Sequence, residues 1–295
     1  MLIGITGAHG FLGSHLLADL LNRAYDVKVF DRNAHDLLDI ASMKDFVEDV
    51  DVVFHLAGLT SSSSIQVSNE ELITVNALGT FHLLEALRRY AKNDVRLIFA
   101  SSLHVYGASD TLRCLNESDI PMPKTTYGLS KLLAEDIVNC YGTQYGIKGL
   151  IFRLANIYGP GCKPYYYSVI ATYIDLIRRN KPLKVIGNGV RDFIYVSDVV
   201  CALSESLKHN FTSDRVFNVC TGVPVTARQI IEALKSIDRV TLAVEYQNTN
   251  EPADFLVGDP RKFLRDIRRI SFTDLRAGLI TTLEQRTQDH SASAL

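Results

Sequence analysis

The amino-acid sequence predicts an α/β fold, in which a doubly wound parallel sheet carries a smaller, mixed C-terminal lobe. A glycine-rich turn near the start of the chain joins a short apolar run to a segment of helical period. Nearly continuous apolar runs then alternate with helical segments as far as residue 156, which is the pattern of strands buried on both faces and joined by helices. With 295 residues, 47% of them apolar, the chain is long enough to bury such a core.

The first strand, turn and helix are predicted within residues 2–21. Gly7, Gly10 and Gly13 are spaced G-x-x-G-x-x-G between the apolar run and the helical segment. Glycine suits a turn whose backbone angles side chains disfavour, and it lets the N–H groups at a helix start approach a phosphate. We interpret the stretch as a pyrophosphate cradle, although a glycine triplet by itself also fits an ordinary turn between a strand and a helix.

The second predicted strand, residues 27–31, ends in Asp31. This carboxylate lies about 20 residues past the glycines, where a dinucleotide-binding fold places an acid on the ribose hydroxyls. A carboxylate there repels a 2′-phosphate, which favours NAD over NADP as the cofactor. Arg32 follows directly, and a guanidinium could hold that phosphate, so NADP is the alternative.

The remaining elements follow in order along the chain. Residues 42–48 are predicted to form a helix with Ser42 as its N-terminal cap. Periodicity predicts two longer helices and three further strands: residues 72–90 and 125–145, and residues 51–58, 95–102 and 150–156. Ligands of such sheets bind at the carboxyl ends of the strands. The residues at those ends are Gly7, Asp31, Ala57, Ser102 and Asn156.

Tyr127 and Lys131 are four residues apart on a predicted helix and therefore share a face. A tyrosine that transfers protons near neutral pH needs a stabilised phenolate, because its free pKa is about 10, and a nearby ammonium provides this. Lys131 can also hold the nicotinamide ribose, while Ser102 can hydrogen-bond the substrate oxygen. Tyr127 would then be the acid or base for a carbonyl/alcohol pair whose hydride moves to or from a nicotinamide. An exposed amphipathic pair is the alternative, which the order of the motifs disfavours.

Composition and charge exclude several other functions. The net charge of −2 provides no basic field for nucleic acid or an anionic membrane, and no apolar run reaches membrane-spanning length. The five cysteines are widely scattered without metal-binding spacing, so we expect no metal site. Because the chain starts directly in a strand, we expect no secretory signal and a cytoplasmic protein. The polar residues 285–295 are expected to form a frayed tail.

The motifs taken together resemble those of the extended short-chain dehydrogenases/reductases, the NAD-dependent epimerase/dehydratase family. The resemblance runs from residue 2 to about residue 278. It rests on residues 7–13, 55–58, 75–80, 101–107, 127–131, 153–160 and 187–198. It implies a Rossmann domain, a substrate-binding lobe and a homodimer formed through a four-helix bundle by the helices 72–90 and 125–145. The Rossmann domain would comprise residues 1–158 and 192–222, and the lobe residues 159–191 and 223–284.

The same resemblance implies roles for individual residues. Ser102, Tyr127 and Lys131 would be the catalytic trio. The cofactor would contact Gly7, His9, Gly10, Phe11, Leu12, Gly13, Asp31, Arg32, Asp39, Ile40, Leu56, Ala57, Gly58, Asn76 and Lys131. The substrate would be a nucleotide sugar whose binding residues are His104, Asn156 and Arg191, with Asn156 and Arg191 on its diphosphate. From the residues alone, Arg191 could instead form a surface ion pair with Asp192 or Asp198.

Two departures from the family pattern bear on the substrate. Family dehydratases carry an acidic pair where this chain has Leu103 and His104, so 4,6-dehydration lacks its usual acid and base unless His104 substitutes. Many members also place an arginine on the diphosphate where this chain has Glu251. Another cation, such as Arg261, would have to replace it, or the substrate has no diphosphate.

The favoured function is therefore NAD(P)-dependent chemistry at a sugar carbon of a nucleotide sugar, above all that of a 4-epimerase or a 4-keto reductase. Glu251 motivates a second hypothesis, a ketone reductase for a non-sugar natural product. A third is a dinucleotide-sensing protein without turnover, against which the intact catalytic trio speaks.

Overall fold

The computed structural model describes residues 1–60, 67–165, 168–209, 215–238, 242–247, 252–268 and 270–284. Its strands are β1 Leu2–Thr6, β2 Asp26–Val29, β3 Val52–His55, β4 Arg96–Ser102, β5 Cys114–Leu115, β6 Lys148–Leu154, β7 Asn156–Tyr158, β8 Leu183–Ile186, β9 Val190–Arg191, β10 Phe193–Tyr195, β11 Val216–Val219, β12 Val225–Thr226, β13 Val244–Gln247 and β14 Phe255–Gly258. Its α-helices are α1 Phe11–Asn22, α2 Lys44–Val47, α3 Asn69–Ile73, α4 Gly79–Tyr90, α5 Thr126–Tyr145, α6 Val169–Arg178, α7 Val196–Ser206, α8 Ala227–Lys235, α9 Arg261–Asp266 and α10 Leu275–Glu284. Within the described ranges, no helix has the length and apolar character needed to cross a bilayer.

Six of the strands form one parallel sheet in the order β11-β6-β4-β3-β1-β2. From β1 the chain moves outward to β2 on one side, and β3 then pairs with β1 on the other side. The strand order therefore reverses at β1, and in open α/β sheets a ligand crevice lies at the carboxyl ends of the strands at such a point. The predicted doubly wound parallel sheet is confirmed.

Apolar side chains pack on both faces of this sheet, as its nearly continuous apolar strands predict. Leu16 and Leu20 of α1 are fully buried in one cluster, and Leu83 and Leu84 of α4 are fully buried in another. Each such leucine contributes roughly 1.5–3 kcal/mol relative to an exposed one. A third cluster belongs to the C-terminal elements and includes Tyr158, Ile170, Tyr173, Leu183, Ile231, Leu234 and Leu279.

The predicted helix at residues 42–48 differs from the structure at its start. A 3₁₀ turn, Ala41–Met43, precedes α2, and Ser42 lies inside that turn without capping the helix. Its hydroxyl donates to the Asp39 carbonyl at 2.8 Å and accepts from the Asp36 N–H at 2.9 Å. The predicted cap is wrong because the loop before the helix uses the serine hydroxyl.

The helix predicted at residues 72–90 is interrupted. A π-helical turn, Thr74–Leu78, joins α3 to α4, and α3 itself begins at a capping box formed by Ser68 and Glu71. The predicted fifth strand is displaced by two residues, because β6 begins at Lys148 and ends at Leu154. Asn156 therefore lies outside the main sheet and begins β7, which pairs with β10.

A buried ion pair ties α5 to the sheet. Glu135 of α5 and Arg153 of β6 approach within 2.6 Å, and their side chains are 2% and 6% exposed. The Ser101 hydroxyl of β4 donates to the same carboxylate at 2.5 Å. The guanidinium carbon also lies 4.7 Å from the centroid of the Tyr106 ring. Separating two such deeply buried charges would leave each one without its partner, which is energetically costly. The pair therefore holds α5 in a fixed position against β4 and β6.

We expect Glu135→Gln to lower the free energy of unfolding by about 3–5 kcal/mol, because Arg153 would keep a buried charge without its partner. Urea denaturation measures this change. Glu232→Gln is the matched control: Glu232 pairs with Lys235 at 2.8 Å, but both side chains are exposed, so the loss should be about 0–1 kcal/mol. If both variants lost the same unfolding free energy, a structural role for the buried pair would be contradicted.

Candidate active site

The turn between β1 and α1 passes very close to other backbone. Gly7 has φ +74°, and a Cβ there would lie 2.7 Å from the Ala57 nitrogen. A Cβ on Gly13 would collide with the Gly7 carbonyl oxygen. Neither position accepts a side chain, so the first turn of α1 presents bare backbone N–H groups at the end of the sheet. Such a helix start suits an anionic phosphate.

Asn76 holds the backbone that follows β3. Its side-chain oxygen accepts from the Leu59 N–H at 2.7 Å, and its amide nitrogen donates to the Leu59 carbonyl and to the Ser130 hydroxyl, both at 2.9 Å. A Cβ on Gly58 would lie 2.8 Å from the Asn76 oxygen. Asn76 belongs to the π-helical turn, a feature that often marks functional sites. It therefore connects the β3 loop, the π turn and α5.

His55 at the end of β3 is a buried, neutral histidine. Its Nδ1 lies 2.7 Å from the Thr6 hydroxyl and its Nε2 lies 3.0 Å from the Thr80 hydroxyl. Burial lowers the pKa of His55 to about 3, with a smaller contribution from the charge of Lys131. A histidine in an otherwise apolar strand is the sequence signal that could have predicted this buried contact, which joins β3 to β1 and to α4.

Ser102, Tyr127 and Lys131 lie together on the wall of one cleft of about 1080 Å³. Ser102 ends β4, and Tyr127 and Lys131 occupy the first turns of α5. The Ser102 side chain lies close enough to the Tyr127 phenol to influence its pKa, and the Lys131 ammonium donates to the Ala100 carbonyl at 2.9 Å. The predicted proximity of these three side chains is therefore present in the structure.

The start of α5 explains this proximity. The Thr125 hydroxyl accepts from the Gly128 N–H at 3.1 Å and caps the helix. A Cβ on Gly128 would collide with the His104 carbonyl oxygen, so the helix passes directly over the residues that follow β4. Because Gly128 has no side chain, the start of α5 can approach the end of β4 closely enough to bring Tyr127 beside Ser102.

The electrostatics of the trio differ from the prediction that Lys131 lowers the Tyr127 pKa. Burial raises the pKa of Tyr127, and the neighbouring Ser102 side chain opposes that rise. Burial also lowers the pKa of Lys131 to about 8, against the opposing effect of Glu135. Tyr127 is thus a neutral phenol, which is suited to donate a proton. Positive charge brought into the cleft by a ligand would lower its pKa towards the phenolate form.

His104 and Arg191 form another wall of the cleft. Leu103 is buried in the core, so of the Leu-His pair it is His104 that faces the cleft. The centroid of its ring lies 5.7 Å from the centroid of the Tyr127 ring, and the two rings pack edge to face. Burial, and then the charge of Arg191, lowers the pKa of His104 to about 4, so this imidazole is neutral at physiological pH.

The guanidinium of Arg191 pairs with Asp254, which is a partner that sequence reasoning did not identify. Its two terminal nitrogens contact the two carboxylate oxygens at 3.0 and 2.8 Å, in a bidentate arrangement. The alternative pairing with Asp192 or Asp198 is wrong, because these carboxylates accept hydrogen bonds from the backbone near residues 221 and 273. β14 pairs with β9 and so brings Asp254 beside Arg191.

The other predicted site residues fall into two groups. The cleft is lined by Gly7, Gly10, Phe11, Leu12, Gly13, Leu56, Gly58, Ser102, His104, Tyr127, Lys131, Asn156 and Arg191. Outside this lining lie His9, Asp31, Arg32, Asp39, Ile40, Ala57 and Asn76. His9 is exposed on the glycine turn, and residues 31–40 form the loop after β2, beside the same edge of the sheet.

Several cleft residues were not predicted. Thr126, Thr172, Lys184 and Ile186 line it from α5, α6 and β8, which meet only in the folded chain. Of the tyrosines at 165–167, Tyr165 lines the cleft, and the next two lie outside the described residues. Glu251 and the tail 285–295 also lie outside them.

Arg261 does not line the cleft and pairs with Asp259. Across the described ranges, no group of three potential metal ligands comes together.

The comparisons with known proteins agree with this geometry. The model of the "NAD dependent epimerase/dehydratase family" matches residues 3–220. The chain belongs to this family. The resemblance inferred from the motifs is thereby confirmed, and the family's members are NAD-dependent epimerases and dehydratases by name.

Individual relatives divide between two kinds of enzyme. A putative UDP-glucose 4-epimerase from Methanocaldococcus jannaschii is 31% identical over 79% of this chain and 81% of its own length. A GDP-6-deoxy-D-mannose reductase from Pseudomonas aeruginosa is 33% identical over 81% of each chain. Among solved structures, a mutant UDP-glucuronic acid 4-epimerase from Bacillus cereus, in complex with UDP-4-deoxy-4-fluoro-glucuronic acid and NAD, superposes with a TM-score of 0.84. The two sequences are 25% identical, and the superposition covers 96% of this chain and 98% of the epimerase chain.

The imidazole of His104 should remain neutral until the pH falls to about 4, whereas an unperturbed histidine titrates at about 6.5. Imidazole ¹⁵N chemical shifts measure this, and the spectrum of His104→Gln assigns the signal. Because the unfolded chain binds this proton first, the contribution of His104 to stability should fall as the pH drops from about 6.5 towards 4. A midpoint near the unperturbed value would show that the ring is solvated.

Proposed function

We propose that this family member is an oxidoreductase or isomerase that acts on a sugar carbon of a nucleotide sugar, as a 4-epimerase or a 4-keto reductase. One observation carries the proposal: Ser102, Tyr127 and Lys131 share a cleft whose other walls are the glycine turn and Arg191. The two kinds of relative, an epimerase and a reductase, support the same two activities.

The residues present fit a nicotinamide dinucleotide, which we propose as the cofactor. The glycine turn has no room for a Cβ, as a pyrophosphate cradle requires, and Asp31 follows β2 where a ribose carboxylate belongs. The proposed contacts are those named from the sequence, including Asp39 and Ile40 beside the adenine. When bound, this cofactor supplies hydride transfer. Asp31 favours NAD, and the adjacent Arg32 keeps NADP as the alternative.

The chain's own residues would move and hold protons at one substrate oxygen. The Tyr127 hydroxyl donates its proton to that oxygen when a carbonyl is reduced and takes it back when the alcohol is oxidised. Ser102, which lies beside Tyr127 in the cleft, orients the oxygen. Lys131, held on the Ala100 carbonyl, binds the ribose beside the nicotinamide and provides positive charge.

The substrate proposal depends on the part of the cleft that Arg191, Asn156 and His104 line. Arg191 and Asn156 line the cleft and would contact a diphosphate, with His104 beside the sugar. Neither Leu103 nor His104 has the carboxyl group that family dehydratases use at these positions, so dehydration is disfavoured. The Asp254 carboxylate partly neutralises Arg191. This pairing is the specific observation that keeps a non-sugar ketone reductase as a second candidate.

The assembly and domain organisation are also proposals. Leu78, Leu129, Leu133 and Tyr145 are exposed large apolar side chains around α4 and α5, as a homodimeric four-helix bundle would require. The third apolar cluster supports a substrate-binding lobe of residues 159–191 and 223–284, beside a Rossmann domain of residues 1–158 and 192–222. The five cysteines are free thiols, which supports a reducing, cytoplasmic location.

Tyr127→Phe should lower turnover by about 100-fold to 10,000-fold, because the substrate oxygen loses its proton donor. The assay supplies NAD or NADH with UDP- and GDP-linked sugars and follows the sugar by chromatography and NADH by absorbance. A 4-epimerase converts the sugar without net NADH consumption, and a reductase consumes one NADH for each product. Tyr246→Phe, at an exposed tyrosine of β13 outside the cleft lining, is the control. Full turnover in Tyr127→Phe would refute the catalytic assignment.

Arg191→Met should raise the KM for a nucleotide sugar by about 10-fold to 100-fold and change kcat less, because charged hydrogen bonds to the diphosphate are lost. Steady-state kinetics on the best nucleotide sugar measure this. Arg113→Met is a matched control, since Arg113 also pairs with an aspartate, Asp119, at 2.8 Å but does not line the cleft. An unchanged KM in Arg191→Met would favour the non-sugar ketone.

A further inference from the structure

The loop after β2 is organised around the Asp31 carboxylate. One carboxylate oxygen accepts from the Asn33 backbone N–H at 2.9 Å and from the Asn33 side-chain amide at 3.1 Å. The Asp31 backbone N–H donates to His35 Nδ1 at 3.1 Å. The carbonyl of Asp31 also accepts from the backbone N–H of His35 at 2.8 Å. His35 therefore holds the backbone of Asp31 from both sides.

His35 in turn anchors the loop to the body of the protein. Its Nε2 lies 3.1 Å from an Asp45 carboxylate oxygen, and its side chain is 8% exposed. Its ring packs against Phe30 and Phe46, with centroids 5.0 and 5.9 Å away. Because Nδ1 accepts a hydrogen bond, the proton of the neutral ring is on Nε2, which donates to Asp45. The hydrogen bond from His35 is the main cause that lowers the pKa of Asp45, so that carboxylate stays charged.

We propose that His35 is a positioning residue for cofactor selectivity, holding the Asp31 carboxylate where a free ribose 2′-hydroxyl is accepted and a 2′-phosphate is repelled. This inference rests on the proposed nicotinamide dinucleotide function. The cofactor class it selects is a dinucleotide without a 2′-phosphate. Asn33 fixes the carboxylate only relative to its own loop, whereas His35 ties that loop to Asp45 and to the apolar core.

The neighbouring residue explains why the anchor matters. Arg32 is exposed beside Asp31, so two opposite charges compete for the same part of the ligand. A loop free to change its backbone angles could turn Arg32 towards a 2′-phosphate, which a guanidinium binds well. With the Asp31 N–H held by His35, the carboxylate keeps its position and the repulsion remains. Repulsion between two like unit charges in contact weakens ligand binding by several-fold, even when both charges are partly solvated.

The experiment measures the dissociation constants of NADH and NADPH with the purified full chain, freed of bound nucleotide, by nicotinamide fluorescence. The wild type should bind NADH more tightly by at least about 5-fold. His35→Leu removes the acceptor, and the ratio of the two constants should narrow by about 3-fold to 10-fold. His35→Asn keeps an acceptor near the position of Nδ1 but loses the contact with Asp45, so the ratio should narrow by less than in His35→Leu. His209→Leu, another histidine packed against a phenylalanine, is the control.

The outcomes separate this inference from the proposed function. If the wild type binds neither nucleotide, the proposed function fails. If it binds NADH preferentially and His35→Leu keeps the same ratio, the inference alone is overturned, even when both affinities fall. A wild type without preference, or with preference for NADPH, also overturns it. Should His35→Leu fail to fold, Asp45→Ala, at a side chain that is 73% exposed, removes the anchor of the ring and must narrow the ratio in the same direction.

Discussion

The close packing of α5 against the end of β4 is the constraint on which the candidate site depends. Gly128 leaves no Cβ above the His104 carbonyl, and the buried pair of Glu135 and Arg153 holds the helix on the sheet one turn beyond Lys131. A displaced helix would separate Tyr127 from Ser102. A buried ion pair is weak evidence of net stability, but breaking one is costly, and that cost keeps the helix in register.

Desolvation dominates the charge states in and around the cleft. It keeps His55 and His104 neutral, favours the neutral phenol of Tyr127 and lowers the pKa of Lys131. The pair of Arg191 and Asp254 limits the remaining positive charge. The site is therefore poised to give a proton and to respond to a charged ligand, because each charge that enters a poorly solvated cleft changes the pKa values of its neighbours strongly.

Much of the fold and of the candidate site could be predicted because their signals are local. Strand and helix periodicity, the spacing of three glycines and the four-residue spacing of Tyr127 and Lys131 each lie within one element or one turn. The predictions that failed depended on partners. Ser42 does not cap α2, because Asp36 and Asp39 use its hydroxyl.

The amino-acid sequence by itself determined the alternation of strands and helices in the main sheet, the glycine turn between β1 and α1, and the placement of Tyr127 and Lys131 on one face of a helix. Periodicity and backbone preference act between near neighbours, so a single chain reveals them. Only the tertiary structure decided that Arg191 pairs with Asp254, that His35 holds Asp31 and that burial raises the pKa of the Tyr127 phenol. Desolvation and long-range pairing depend on which segments meet in space, and no spacing along the chain encodes that directly.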